Sequence, residues 1–504
     1  MLGRRKAGAP PSPWRLTALS ALSGLALAAV TASLAGPWDN GQRTAERARA
    51  AAVARAGDAD HDAKSPRKDA AAPRAMEHPP REELGEGAAP GYDAPAVLRP
   101  LGPEGHRPTQ AAEAADGTAT RAPLPTEAGL RAALRPLLAD PALGSLRSAA
   151  VWDVASGRGL YGARPHAAAV PASVTKLATG AAALGALGPE HRIATETRTA
   201  GRTLYLVGGG DPTLTGARLD RLAELSARAL KPGGKPLTLR YDTAAYTGPA
   251  RHPIGVNDNL AAVTPLMVDE GRLDGSYSGP APRTPDPAGE AARLFARHLA
   301  DHGVKLTGAP TPATAPAKAG KLAAVHSAPL GVLVERMLTH SDNDLAEALA
   351  RQSALATGRP ASFSSAAAAV RARLARMGLP VKGVRFADGS GISRGNRAPA
   401  AFYARLLVLA GHPDHPELRP LLTGLPIAGF SGTLDARYDQ TPGAGVVRAK
   451  TGTLTGVNSL AGTVVDADGR LLAFAFLANG TTDRDGAQRA LDKLASALAD
   501  CGCR

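Results

Sequence analysis

The sequence predicts an α/β fold, an antiparallel sheet flanked by helices, with a smaller domain inserted into it. Three observations carry that expectation. A helical stretch opens the folded region near Leu130 and another closes it over 487–499. A pair of strands follows the first helix and a second pair precedes the last. Between about His191 and Leu322 the pattern gives way to short strand-like runs broken by turn residues. Terminal helices beside terminal strands imply that the two ends of the chain pack into one layered domain around the insertion.

At the N-terminus Arg4, Arg5, Lys6 and Arg15 precede an uncharged run from Leu16 to Gly36, and no acidic residue occurs before Asp39. Residues 1–15 therefore read as a basic cytoplasmic segment and 16–36 as a transmembrane anchor or signal segment. Such a run reaches about 31 Å as a helix at about 1.5 Å per residue. The flanking charges orient the remainder outward. A cleavable signal is the rival reading, because Ser33-Leu-Ala35 offers small residues at both cleavage-site positions. Either way the expected location is extracytoplasmic, in the cell envelope or secreted. From 37 to 125 the chain is rich in Ala, Pro, Gly and mixed charge, with Tyr92 its only aromatic residue between Asp39 and Pro125. It buries too little apolar surface to offset its ordering entropy and reads as a disordered tether.

The first helix is expected in "LRAALRPLLADPAL". The next stretch, "SAAVWDVASGRGLYGARP", reads as two strands turning at Ser156-Gly-Arg-Gly159. Residues 126–190 and 323–504 form the expected main domain, and 191–322 the insert. Within the insert "RTLYLVGGG" and "PLTLRYDT" are strand-like, and "APTPATAPAKAGKLA" is the return. Near the end "SLAGTVVDADGRLLAFAFLANG" is a hairpin turning at Asp466-Ala-Asp-Gly469, followed by the helix "AQRALDKLASALA". The only cysteines, Cys501 and Cys503, are two residues apart. That spacing hardly permits an unstrained disulfide, so no internal staple is expected.

The net charge of +14 calls for an acidic partner. The basic residues are scattered and aromatics make up only 4%, which argues against nucleic acid and leaves an anionic envelope polymer. "GGGDPTLTG" lacks the G-K-[ST] of a phosphate loop. Prolines break the helix that would align His412 and His415 as metal ligands. No cofactor and no metal are expected.

Chemistry gathers around Ser173 and Lys176 in "PASVTKLATGAAAL". On a helix, residues three apart share a face. A serine hydroxyl needs an adjacent base to become a nucleophile, and a helix start offers backbone N–H groups to an oxyanion. An S-x-x-K match is weak alone, and Ser65-Pro-Arg-Lys68 is another, in the tether. Ser341-Asp-Asn343 then opens a second helix, and Lys450-Thr-Gly452 lies on what reads as an edge strand. S-x-x-K, S-x-N and K-T-G in this order are the signature of penicillin-binding serine enzymes.

The spacing from Ser173 to Ser341 exceeds that of class A β-lactamases by on the order of 100 residues, matching the expected insert. With "LYLVGGGDPTLT", "SAPLGVLVERMLTHSDNDLAEALAR" and "DGSGISRGN", the chain resembles the family S13 D-alanyl-D-alanine carboxypeptidases/endopeptidases from about 130 to 500. These are low-molecular-mass class C penicillin-binding proteins, so a penicillin-binding transpeptidase-like (β-lactamase-like) main domain is implied. The resemblance also implies the roles. Ser173 is the nucleophile, Lys176 its base, helped to lose a proton by burial and the cation of Lys450, and Ser341 the proton relay. Asn343 holds the substrate backbone. Lys450, Thr451, Gly452 and Thr453 bind its terminal carboxylate, and the Ser173 and Thr453 amides form the oxyanion hole. Peptidoglycan stem peptides are the implied substrate and β-lactams the covalent inhibitors. In the same family Asp242 and Tyr246 fall where the insert meets the substrate's third residue, although a strand running into a turn explains them equally well.

The rival readings are a β-lactamase, a general esterase on the same scaffold and a non-catalytic receptor for wall peptides or β-lactams. No glutamate occurs from Ala348 to Pro416, where a class A enzyme keeps its deacylating base. The intact serine and lysine set argues against the receptor.

Overall fold

The computed structural model describes residues 122–230 and 235–503. The segments expected at 1–15, 16–36 and most of 37–125, with Ser65 and Lys68, lie outside the described residues. Among the described residues no helix is long and apolar enough to cross a membrane. Residues 122–125 are held by the fold: Arg470 donates to the Ala122 carbonyl, and Leu124 packs on the core.

The main sheet has the order β2-β1-β10-β9-β8 and is antiparallel throughout. Its strands are β1 (Leu146–Asp153), β2 (Gly159–Ala163), β8 (Arg448–Leu454), β9 (Val457–Val465) and β10 (Leu471–Asn479). β1 and β10, from opposite ends of the chain, are central neighbours, with Ala150 opposite Ala475. Side-chain alternation divides β10 between two layers. Leu472, Phe474, Phe476 and Ala478 pack with the terminal helices α1 (Glu127–Leu138) and α9 (Arg484–Ala499). Ala473, Ala475 and Leu477 face the opposite layer. The small alanines there let α8 (Ala400–Gly411) lie close to the sheet.

That opposite layer is built from α2 (Thr175–Leu187), α5 (Leu330–His340), α6 (Asn343–Leu355), α7 (Phe363–Arg376) and α8. Helix α2 is alanine-rich because it is enclosed: every residue from Thr175 to Leu184 is buried. A Cβ on Gly180 would come within 2.9 Å of Leu421. Helix starts follow local chemistry, with Thr126 accepting from the Gly129 amide and Asp483 from the Gly486 amide, 3.0 Å each.

The inserted domain carries a second sheet of order β6-β5-β4-β3-β7. Here β3 (Ala194–Ala200) pairs antiparallel with β4 (Thr203–Val207) and β7 (Gly320–His326), while β4 and β5 (Thr238–Asp242) run parallel. The short β6 (Thr311–Pro312) adds to β5. Helix α3 (Gly216–Leu230) makes the crossover between β4 and β5, as a parallel pair requires. It packs with α4 (Pro287–Asp301) on a separate core that includes Leu206, Leu222 and Phe295. β7 continues past Leu322 to His326 before the chain re-enters the main domain.

Candidate active site

Ser173 is the middle residue of a short 3-10 turn, Ala172–Val174, that opens on a left-handed Ala172 (φ +48°) and leads directly into α2. Lys176, one turn on, is wholly buried. Its Nζ lies 3.1 Å from Ser173 Oγ, 2.7 Å from Asn343 Oδ1 and 2.8 Å from the Ser390 carbonyl oxygen. A neutral amine has two N–H groups and one lone pair. Two of the three partners, Asn343 Oδ1 and the Ser390 carbonyl, can only accept. The lone pair is thereby left for the third, the serine hydroxyl. Burial pushes Lys176 down to about 8, against the upward pull of Asp342, Asp388, Glu347 and Asp344. Burial leads this shift, as expected, while the Lys450 cation expected to assist it is not among the leading causes.

The Ser390 carbonyl is aimed by a buried scaffold. Glu347, one helical turn after Asn343, accepts from the Gly389 amide at 3.1 Å and the Ser390 amide at 2.8 Å. Asp388 accepts from the Gly391 and Ser393 amides and from Asn396 Nδ2, at 2.9, 2.6 and 2.7 Å. His252 Nε2 lies 3.2 Å from Asp388, while its Nδ1 accepts from the Ile254 amide, which puts the ring proton on Nε2. Burial works to raise Asp388, but these hydrogen bonds outweigh it and hold the carboxyl below its ordinary range. Glu347 is raised, by burial first and then by Asp388. Gly391 is required here: its φ is +88°, and a Cβ would sit 2.0 Å from the Ala172 carbonyl oxygen.

The K-T-G element lies on β8, at the edge of the sheet. The Ala449 amide is taken by Pro426, and the free edge begins beyond it. A Cβ on Gly452 would meet Ser459 Oγ at 2.2 Å and the Pro171 carbonyl at 2.6 Å, so glycine lets the strand back onto the serine turn. Ser459 Oγ also donates to Pro171 O at 2.6 Å. Thr451 Oγ1 donates to Thr433 Oγ1 at 2.8 Å. Lys450, fully buried, donates to the Thr451 carbonyl at 2.9 Å. Burial lowers its proton affinity strongly, helped by the cations of Lys176 and Arg437.

Ser341 joins α5 to α6 in a left-handed conformation, φ 57° and ψ 38°. Asp342 caps α6, accepting from the Leu345 amide at 3.0 Å. Asn343 Nδ2 donates to the Asn259 carbonyl of the insert at 2.9 Å, so both ends of the Asn343 amide are engaged. Ser173, Ser341, Asn343 and Thr453 line one cleft of about 540 Å³, with Thr433, Asn257 and Asn259. Lys176, Lys450, Thr451 and Gly452 lie buried behind that surface.

Other sequence candidates fall elsewhere. Asp242 accepts from the Ala244 and Ala315 amides, and Tyr246 stacks against Arg351, so neither lines the cleft. His412 and His415 pair with Asp414 and Glu417. Cys501 and Cys503 form a disulfide despite their spacing, with Cα atoms 4.9 Å apart, but it closes only a three-residue loop and ties no distant segments together. Glu347 and His252 carry no motif in the sequence, and Asp388 stands out only within the family-like "DGSGISRGN" stretch. The one signal for Glu347 was its place four residues after Asn343.

A serine at a helix start beside a buried amine, next to a strand edge in a layered α/β fold, is the arrangement of a serine hydrolase of the β-lactamase-like class. The model of the D-Ala-D-Ala carboxypeptidase 3 (S13) family matches residues 130–282 and 279–500. The chain belongs to that family. It is 38% identical to a carboxypeptidase of Mycobacterium tuberculosis over 410 residues, covering 76% of this chain and 87% of the relative. It is 32% identical to the D-alanyl-D-alanine carboxypeptidase of Actinomadura sp. strain R39, over 70% of this chain and 81% of that protein. The fold is shared with penicillin binding protein 4 of Haemophilus influenzae, at TM-score 0.61 and 23% identity, over 72% of this chain and 97% of that one. A second structure of that protein holds a β-lactam.

Proposed function

We propose that this chain is a serine-type D-alanyl-D-alanine carboxypeptidase that cleaves peptidoglycan stem peptides through an acyl-enzyme and is acylated by β-lactams. The observation that carries the reading is the three-way seat of Lys176, whose lone pair is left for Ser173. Ser173 Oγ attacks the carbonyl between the two terminal D-alanines as Lys176 Nζ takes its proton. The oxyanion is met by the Ser173 and Thr453 amides. Lys450 and Thr451 bind the terminal carboxylate, which gives the buried cation the counter-charge it otherwise lacks. As the C–N bond breaks, the proton passes through Ser341 Oγ to the leaving amine, and D-alanine departs. Water then attacks the ester, its proton returning by way of Lys176, and the shortened peptide leaves. An amine from a cross-bridge leaves by the same steps, which is the endopeptidase reaction.

With a β-lactam the leaving nitrogen stays tethered to the acyl group. Glu347, the nearest glutamate before the glutamate-free window, is committed to the Gly389 and Ser390 amides and does not line the cleft. Among the described residues no glutamate lines the cleft, which favours a long-lived adduct over β-lactamase turnover. We also place the enzyme outside the cytoplasm, exported by residues 16–36, where its substrate is found.

Intact-mass spectrometry of the full chain with benzylpenicillin, beside Ser173→Ala, tests the reading. The expected result is one persistent adduct in the wild type and none in the variant. An adduct that decays while hydrolysed penicillin accumulates would assign a β-lactamase instead.

A further inference from the structure

Behind the S-x-N motif lies a cluster of charge that the mechanism above does not use. The backbone of the insert turns left-handed at three successive residues, Asp269 (φ 46°), Glu270 (φ 57°) and Gly271 (φ 66°). Only the last is a glycine. The Asp269 and Glu270 amides are held by the Leu214 and Pro212 carbonyls, 2.8 Å each. Non-glycine residues persist in this region only where the surroundings enforce it. The result is that the Glu270 side chain is driven inward and fully buried.

There it meets guanidinium groups from separate segments. Arg272 Nε lies 2.8 Å from its carboxylate, and Arg336 of α5 donates to the other oxygen. Arg283 donates to the Glu270 carbonyl at 2.7 Å. Two of these arginines reach onward to the motif: Arg336 lies 3.6 Å from Asp342 Oδ2, and Arg283 lies 3.1 Å from Asp344 Oδ2. The second Asp344 oxygen accepts from the Ala261 amide of the insert at 2.9 Å. Asp342 and Asp344 flank Asn343, whose Oδ1 touches Lys176, and Asp342 follows Ser341.

We propose that Glu270 is a positioning residue for the S-x-N motif. Through Arg336 and Arg283 it fixes Asp342 and Asp344, and with them the places of Ser341 and Asn343 at the catalytic lysine. This rests on the reading of Ser173 as the acylated nucleophile. The Glu270 carboxyl is the acceptor shared by Arg272 and Arg336, and Asp342 and Asp344 lie on the far side of Arg336 and Arg283. Removing the Glu270 carboxyl leaves buried guanidinium N–H groups without an acceptor and frees the loop to shift. A displacement of about 1 Å in such a loop is enough to slow the chemistry a hundredfold. Burial, with Asp342 beside it, pushes Glu270 up to about 9, so glutamine is the natural conservative replacement.

The test uses the full chain as wild type, Glu270→Gln, Glu270→Ala, Arg336→Met and the Ala/Met double variant. Active sites are counted by saturation labelling with fluorescent penicillin, and per-site kcat and KM are measured for a D-Ala-D-Ala peptide. Glu270→Gln should keep kcat within about threefold of wild type. Glu270→Ala and Arg336→Met should each lose tenfold or more in kcat, with KM within about twofold. The double variant should be no slower than the slower single, because the two share one path. Unchanged per-site kcat in Glu270→Ala, or in Arg336→Met if the first does not fold, overturns the proposal. So does full additivity, or failure of both single variants to fold, which would make the cluster a folding element alone. A wild type that neither labels nor releases D-alanine defeats the functional reading and this proposal together. A labelled wild type with unmoved variants defeats this proposal alone.

Discussion

Lys176 and Lys450 are both withdrawn from water, yet their pockets are opposites. Around Lys176 stand a serine oxygen, an amide oxygen, a carbonyl and, a little further out, four carboxylates. Around Lys450 stand one carbonyl and the cations of Lys176 and Arg437. The first pocket balances burial against negative charge and leaves a base that ionises near neutrality. The second withholds an anion, which the substrate's carboxylate would bring. Two lysines buried behind one cleft thus differ in setting because of what their neighbours carry.

The largest effect expected from breaking this contrast is at Lys176. Lys176→Ala should slow acylation by benzylpenicillin on the order of 10²–10⁴-fold, the usual worth of a general base, as stopped-flow labelling will report. A loss of less than tenfold would remove Lys176 from the role of base. Lys450→Ala should be milder, about 10–100-fold in kcat/KM, the worth of one charge-assisted hydrogen bond. It should matter little for a peptide whose terminal carboxylate is amidated, and equal losses on both peptides would deny Lys450 that contact.

The smallest effect is a shift in pH dependence. The competent form of Lys176 is the neutral amine, so the acylation rate should rise with pH and level off above about 8. Glu347 holds the proton on Lys176, raising its affinity, so Glu347→Gln should move that limb to lower pH. Rate–pH profiles of the two proteins measure it, and a shift upward would contradict the assignment.

Much of this was readable in one dimension. The K-T-G stretch reads as an edge strand in the sequence, and the sheet order places it at the edge. Ser173 and Lys176 were legible as a pair because helix geometry alone brings i and i+3 together. The scaffold behind them was not. Glu347 looks like any polar residue of a helix, and His252 sits in a turn-rich stretch with no partner in view.

The sequence by itself determined the layered α/β class and the three motifs in order, because periodicity and short spacings are local properties. Only the tertiary structure decided what surrounds the lysine. Ser390 lies 214 residues from Lys176 and Asn343 lies 167 away, and both meet it in a pocket closed by Glu347, Asp388 and His252. The insert's reach to Asn343 and the S-x-N aspartates, through Asn259 and Glu270, was likewise decided in three dimensions. Burial and charge set a pKa, and both are sums over neighbours that the order of residues does not name.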